Sequence, residues 1–374
     1  MERIRNRPLM PPAGIVAVVA LVLLIYGVLK HVSLLYGPDG LSYLAVLAVI
    51  VLSMAVILLG CEVFANAVEN IGERVGLSHA TAGSLLAAIG TALPETLVPV
   101  FALVFGTKAH GEAIAVGAIL GSPFMISTLA MFLVGATTIV LWIKKARDRP
   151  VFNVNTRAFQ MDMYYFIPIM VFVLIISMLQ NAAARYVGAF VLLGTYAVFF
   201  KTALSHEAAQ GEQYVERLYA NCYFGCSKSL TIIVVQIVSG LMFIVAGTCL
   251  FIEYITVFSI KTGISALVLS LVIAPVATEL PEKFNSIAWT IRGKDTLAMA
   301  NLTGAMVYQS TIPVSIGLLF TGWTLGHTEL LNIMIAITMA AVLLITIKIK
   351  KTLPGWALLI GGIFYAAYMV RIFS

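Results

Sequence analysis

Long apolar stretches alternate along the chain with short polar ones. The apolar runs fall at 12–36, 42–70, 79–106, 112–143, 163–180, 184–204, 229–259, 263–291, 296–321, 328–347 and 355–373. Each is near or above the roughly 20 residues that a helix needs to cross the hydrocarbon of a bilayer. Ten-residue segments of strict apolar–polar alternation are absent, which argues against an outer-membrane barrel. The pattern predicts an all-α membrane protein of 11 transmembrane helices.

Composition agrees. Of 374 residues, 61% are apolar and 11% charged, against roughly 45–50% and 25% in a soluble domain. Mean hydropathy is +1.01. Cys61, Cys222, Cys226 and Cys249 are too few for a disulfide framework, and the C-x3-C pair lacks a histidine partner for zinc. Arg3, Arg5 and Arg7 precede the first apolar run as in a signal peptide. No small-x-small site follows and Lys30-His31 ends the run, so a retained first helix is expected.

Lysine and arginine in the short loops set the orientation. With a cytoplasmic N-terminus and alternating sides, 17 of the 23 cations face the cytoplasm. They include Lys144, Lys145, Arg147, Arg149, Arg292, Lys294, Lys348, Lys350 and Lys351. Lys30, Lys108, Arg185, Lys261 and Arg371 face the other side, and Lys283 lies inside a span. The formal charge of +6 is thus a topogenic signal and not a sign of nucleic-acid binding. Residues 205–228, the longest polar stretch, read as a linker between two halves.

The two halves repeat each other. Gly60–Glu95 aligns with Gly247–Glu282 at an offset of 187, with nine identities in 36 positions. Gly76-Leu77-Ser78 meets Gly263-Ile264-Ser265, and Thr91-x-Leu93-Pro94-Glu95 meets Thr278-x-Leu280-Pro281-Glu282. At an offset of 183, Gly121…Ser127-Thr128 meets Gly304…Ser310-Thr311. An odd number of spans separates equivalent helices, so they cross in opposite directions. Inverted repeats are an architecture of secondary transporters, whose substrate site lies mid-membrane where the halves meet.

Glu95 and Glu282 fall near the middle of their runs. A carboxylate at that depth is costly and should face a cavity or a bound cation. Pro94 and Pro281 each remove a backbone hydrogen bond, freeing the carbonyls of Gly90 and Ala277 one turn away. Thr91 and Thr278 precede the glutamates by four residues, on the same helix face. Each repeat therefore offers a carboxylate, a hydroxyl and a carbonyl. These are hard oxygen donors, and two carboxylates balance one divalent charge, which suits Ca²⁺. An anionic substrate would call for basic residues or helix N-termini instead.

These residues resemble a known family. Gly60–Glu95, ending Gly90-Thr91-Ala92-Leu93-Pro94-Glu95, is similar to the first alpha-repeat of the sodium/calcium exchangers. Ala277-Thr278-Glu279-Leu280-Pro281-Glu282 is similar to the second. The likeness implies two inverted five-helix units: a first repeat at 41–204, the cytoplasmic linker 205–228 and a second repeat at 229–374. An extra N-terminal helix would occupy 1–40. It implies alternating access with Ca²⁺ held by Thr91, Glu95, Thr278 and Glu282, and Ser122 as a monovalent-cation ligand. An acidic or amide group belongs where Ile126 and Gln309 stand, and Gln309 supplies an amide.

The chain departs from the family pattern in places. Gly121-Ser122-Pro123 and Gly304-Ala305-Met306 replace Gly-Ser-Asn, while Ala92 and Glu279 stand where serine is common. Glu279 and Lys283, four apart, read as an internal ion pair, as a protonatable carboxylate that makes H⁺ the counter-ion, or as a cation that repels divalent ions.

The expectation is a Ca²⁺ antiporter driven by Na⁺, or alternatively by H⁺, in a prokaryotic plasma membrane. Its partners would be membrane lipid and inorganic cations, with no cofactor. A passive channel or transport-silent scaffold is the other class. No nucleophile elbow, phosphate loop or dinucleotide fingerprint suggests an enzyme. Gly117-x-x-x-Gly121 reads as a helix-packing motif, and Glu62 and Glu253 as candidate buried acids.

Overall fold

The structure, a computed structural model, describes residues 41–74, 87–179, 181–207, 217–225, 227 and 229–373, with Gly27 apart from them. In the first half, α1 spans Tyr43–Arg74, α2 Ala87–Phe105, α3 Lys108–Met125 and α4 Met131–Ile143. A π-helical turn over Ile126–Ala130 joins α3 to α4. α5 (Thr156–Leu179), α6 (Ala182–Glu207) and the short α7 (Tyr219–Phe224) follow. In the second half lie α8 (Leu230–Thr262), α9 (Ala266–Thr278), α10 (Leu280–Ile291), α11 (Asp295–Gln309), α12 (Ile312–Phe320), α13 (His327–Lys350) and α14 (Gly355–Phe373). Among the described residues, eight helical stretches are long and apolar enough to cross a membrane. The protein is a helical membrane protein. The expected helix at 12–36, the Gly76-Leu77-Ser78 motif and the start of the 79–106 run lie outside the described residues.

Two runs that read as single spans are each two helices. The 263–291 run breaks at Glu279, whose backbone (φ −103°, ψ 4°) leaves the helical basin between α9 and α10. Pro281 lies in the first turn of α10, where its fixed φ suits a helix start and its missing N–H costs nothing. The 296–321 run breaks at Ser310-Thr311, between α11 and α12.

This second break has a counterpart in the π turn of the first half. Ser127 and Thr128 both donate to the Phe124 carbonyl (3.0 and 2.6 Å). Ser310 and Thr311 both donate to the Val307 carbonyl (3.0 and 2.8 Å). Each position differs by 183, so the repeated Ser-Thr pair makes the same hydroxyl-to-carbonyl bonds twice. Such bonds compete with the helical ladder and bend helices.

The chain divides into two compact units, residues 1–93 with 204–264 and residues 94–203 with 265–374, each drawing on both halves of the sequence. In the first unit α1 packs along α8. A Cβ on Gly60 would meet Ile244 N at 2.8 Å, one on Gly240 would meet Phe64 N at 2.8 Å, and one on Gly247 would meet Ile57 N at 3.0 Å. As the α1 position rises from 57 to 64 its partner falls from 247 to 240, so the two helices run antiparallel. Ile57 and Ile244 are themselves 187 apart, like Gly60 and Gly247. Equivalent residues thus exchange equivalent contacts, the signature of a two-fold relation.

The second unit holds the large hydrophobic core of α3–α5 and α11–α14, and its loops gather at two ends. At one, a two-residue antiparallel ladder pairs Val151–Phe152 (β1) with Leu353–Pro354 (β2). There Arg147 forms an ion pair with Asp295 through both guanidinium nitrogens, and Asn153 N–H donates to Asp295 at 2.9 Å. At the other, Gly322 N–H donates to Glu112 at 3.1 Å and Arg185 donates to the Thr321 carbonyl. These are the groupings that the charge count predicts: the loops with Arg147, Arg292 and Lys351 share one end, and those with Lys108 and Arg185 the other.

Candidate cation site

Three of the buried carboxylates of the second unit, Glu95, Glu279 and Glu282, lie within one electrostatic group with a buried ammonium, Lys283. Glu95, on α2, is 3% exposed, and neither of its carboxylate oxygens has a hydrogen-bond partner among the described residues. Glu282 and Glu279 are equally enclosed, and Lys283 is buried beside them. Electrostatic interaction reaches Glu95 from Glu282, Glu279 and Lys283.

The break in the second helix positions this group. Glu282 falls in the first turn of α10, where the unpaired N–H groups of the helix favour negative charge. Lys283 reaches back toward the carbonyl end of α9, where positive charge is favoured. Its ammonium lies 3.1 Å from the Glu279 carboxylate, 2.9 Å from the Met125 sulfur and 3.4 Å from the Pro275 carbonyl. Ser122 donates to the Ala118 carbonyl at 3.2 Å and lies beside Glu279. Close approach of α3 to α9 brings these side chains together. A Cβ on Gly117 would meet Leu271 N at 2.9 Å, and one on Gly121 would meet the Pro275 ring at 2.6 Å. The expected packing role of Gly117-x-x-x-Gly121 is therefore seen.

The other expected residues stand as follows. Thr278 is buried and its hydroxyl donates to the Ala274 carbonyl at 3.4 Å. Gln309, at the end of α11, is buried with its amide oxygen unpartnered among the described residues. Gly90 and Thr91 lie on α2 about one turn before Glu95, and the Thr91 side chain is outside the described set. Ala277 lies in the last turn of α9, and Pro281 has no N–H to offer its carbonyl. Glu62 and Glu253, read as candidate buried acids, are exposed. Glu62 accepts a hydrogen bond from the Tyr219 hydroxyl at 2.6 Å.

Among the described residues no three His, Cys, Asp or Glu side chains converge as a metal cage. A cation here would be held by two carboxylates supplemented by hydroxyls and backbone carbonyls. Sequence reasoning missed Met125 and Pro275 as partners of Lys283. It also missed the Thr96–Tyr308 hydroxyl contact (2.7 Å) next to Glu95 and Gln309. Met125 follows Ser122 by one helical turn, a spacing that could have revealed it.

Known proteins share this arrangement at the level of fold. The chain is 22% identical to an uncharacterized membrane protein of Methanocaldococcus jannaschii, over 86% of this chain and 95% of the relative. Its structure matches the H⁺/Ca²⁺ exchanger CAX with a TM-score of 0.66 at 16% identity, covering 96% of this chain and 89% of that one. It matches the sodium-calcium exchanger NCX_Mj with a TM-score of 0.52 at 20% identity, covering 88% and 98%. The profile described as "Sodium/calcium exchanger protein" matches residues 45–204 and 232–373, most of both halves. The chain therefore belongs to the sodium/calcium exchanger protein family.

Proposed function

We propose that this protein is a secondary antiporter that moves Ca²⁺ against a monovalent cation by alternating access, with Glu95 and Glu282 as the carboxylate ligands. The observation that carries this reading is Glu95: a carboxylate buried mid-helix, both oxygens lacking a partner, within the field of a second buried glutamate. An unpaired carboxylate buried in protein is costly, and a transported cation offsets that cost. Thr278, Ser122, Gln309 and the carbonyls of Gly90 and Ala277 are the neutral oxygens we assign to the site, together with Thr91. The antiparallel, reciprocal packing of α1 and α8 supports two inverted repeats, which we assign to 41–204 and 229–374; the expected helix at 1–40, Gly27 aside, and part of the linker 205–228 lie outside the described residues. The grouping of loops at two ends supports the alternation inferred from charge; that the N-terminus faces the cytoplasm of a prokaryotic cell is carried by the charge count alone.

A specific observation favours H⁺ over Na⁺ as the counter-ion. Ile126 and Met306, at positions where the resemblance calls for oxygen donors, are fully buried side chains with no oxygen to give. Two carboxylates can accept two protons without any such donors.

Counterflow in proteoliposomes tests both statements. Ca²⁺ uptake should follow an opposing H⁺ gradient, and Glu95→Gln and Glu282→Gln should each reduce it to background. Uptake that ignores both H⁺ and Na⁺ gradients, as through a passive channel, or that survives both substitutions, refutes the proposal. Uptake driven by Na⁺ alone refutes the choice of counter-ion.

A further inference from the structure

We infer that Lys283 is a built-in cation that cancels Glu279 and fixes the exchange at one Ca²⁺ for two monovalent ions, with no net charge moved. This rests on the reading of Glu95 and Glu282 as the Ca²⁺ carriers.

The charges can be counted. The other buried carboxylates of the second unit are engaged elsewhere: Asp162 accepts from Thr303, Asp295 pairs with Arg147, and Glu329 accepts from Gly326 N–H. Among the described residues, the charged groups that act on Glu95 are Glu282, Glu279 and Lys283, so these four set the charge of the site. Lys283 and Glu279 are 3.1 Å apart, and the pair sums to zero whichever partner holds the proton. The ammonium is further held by the Met125 sulfur and the Pro275 carbonyl, so it is part of the protein's framework. Two negative charges are left. They are balanced by one divalent ion on one stroke and by two monovalent ions on the other. A site that crosses a low-dielectric layer must be close to neutral in each loaded state, and both loadings satisfy this.

Three carboxylates without the lysine would instead carry three charges. They would need a third monovalent ion, and the cycle would move charge. Lys283 therefore determines stoichiometry without touching the transported ion, acting through Glu279.

The test is Ca²⁺ accumulation in proteoliposomes at clamped membrane potentials. For each net charge moved per cycle, about 100 mV shifts the equilibrium Ca²⁺ ratio about 50-fold. In the unaltered protein the ratio should not change with potential. Lys283→Met should lose uptake or make it voltage-dependent. The double variant Glu279→Gln/Lys283→Met restores the count of two charges, so it should recover voltage-independent uptake relative to Lys283→Met.

A roughly 50-fold shift in the unaltered protein overturns the inference. So does a double variant that responds to voltage, or that stays inactive where Lys283→Met is inactive, or a Lys283→Met that transports without voltage dependence. If Glu95→Gln and Glu282→Gln still transport, it is the underlying assignment of the Ca²⁺ carriers that fails. If they are inactive while the unaltered protein responds to voltage, only the stoichiometry does.

Discussion

Asp295 offers a measurable test of how the second unit is held at its charged end. Its carboxylate is 3% exposed and accepts from both guanidinium nitrogens of Arg147 and from Asn153 N–H. Arg147, 13% exposed at its side chain, also donates to the carbonyls of Thr290 at 2.8 Å and Val151 at 3.3 Å. Asp295→Asn keeps the volume and removes the charge, leaving a guanidinium without a counter-charge. Breaking a buried ion pair by losing one partner costs about 3–5 kcal/mol. Arg147 retains two carbonyl acceptors and a partly wet edge, so about 2–4 kcal/mol is expected here. Removing both charges with Arg147→Met/Asp295→Leu should cost less than either charge-removing single variant, because no uncompensated charge remains. A double-mutant cycle on unfolding in mixed detergent micelles would then give a coupling of about 2 kcal/mol. A loss below about 1 kcal/mol for Asp295→Asn, or a coupling of zero, would show that water screens this pair.

Two further outcomes follow from packing and topology. Gly240→Val places a branched side chain against the backbone of Phe64 and should cost about 1–3 kcal/mol or more by overpacking. Gly194→Ala, with open space around it, should be neutral or slightly stabilising, and thermal unfolding midpoints compare the two. Single cysteines at the exposed positions Arg149 and Lys350 should react with an impermeant maleimide from one side of the membrane, in a background without the native cysteines. Those at Lys108 and Thr324 should react from the other. Labelling of all four from one side would sink the alternation of spans.

What could be read in the chain follows from the range of the forces involved. Membrane spans are legible because burial in hydrocarbon demands a sustained apolar run, and the runs mark most of the helices. Gly263-Ile264-Ser265 is legible for a local reason. Gly263 ends α8 at φ 74°, and the Ser265 hydroxyl caps α9 by accepting from Val268 N–H. The break at Glu279 is not legible from hydropathy, since a window of span length averages over one departing residue. The Glu279–Lys283 pair is foreshadowed by its spacing of four, because Glu279 still accepts the Lys283 backbone N–H at 3.2 Å. Met125 and Pro275 as partners of Lys283 depend on how closely α3 packs on α9. That distance is set by Gly117 and Gly121 together with residues about 150 positions away in the chain, and no local pattern encodes it.

The repeat also explains why the ammonium occurs once. At the offset of 187, Lys283 answers to Thr96 and Glu279 to Ala92. At the offset of 183, Met125 answers to Tyr308 and Ser122 to Ala305. The contact of Lys283 with Met125 is therefore the counterpart of the contact of Thr96 with Tyr308, and both are made. The framework is the same in the two halves, while the polar content differs. One of the two equivalent contacts holds Glu279, Lys283 and Ser122 where the other holds Ala92, Thr96 and Ala305. Had Glu279 alone entered the second repeat, the site would carry a third negative charge in a dry interior, and had Lys283 alone entered, it would oppose the binding of a divalent cation. Entering together they cancel, and what remains is the symmetric pair, one glutamate from each half, each four residues after its threonine. On the proposed reading the asymmetry of the two repeats is thus confined to a neutral addition, and the two charges offered to the transported ion are those that the repeat itself supplies.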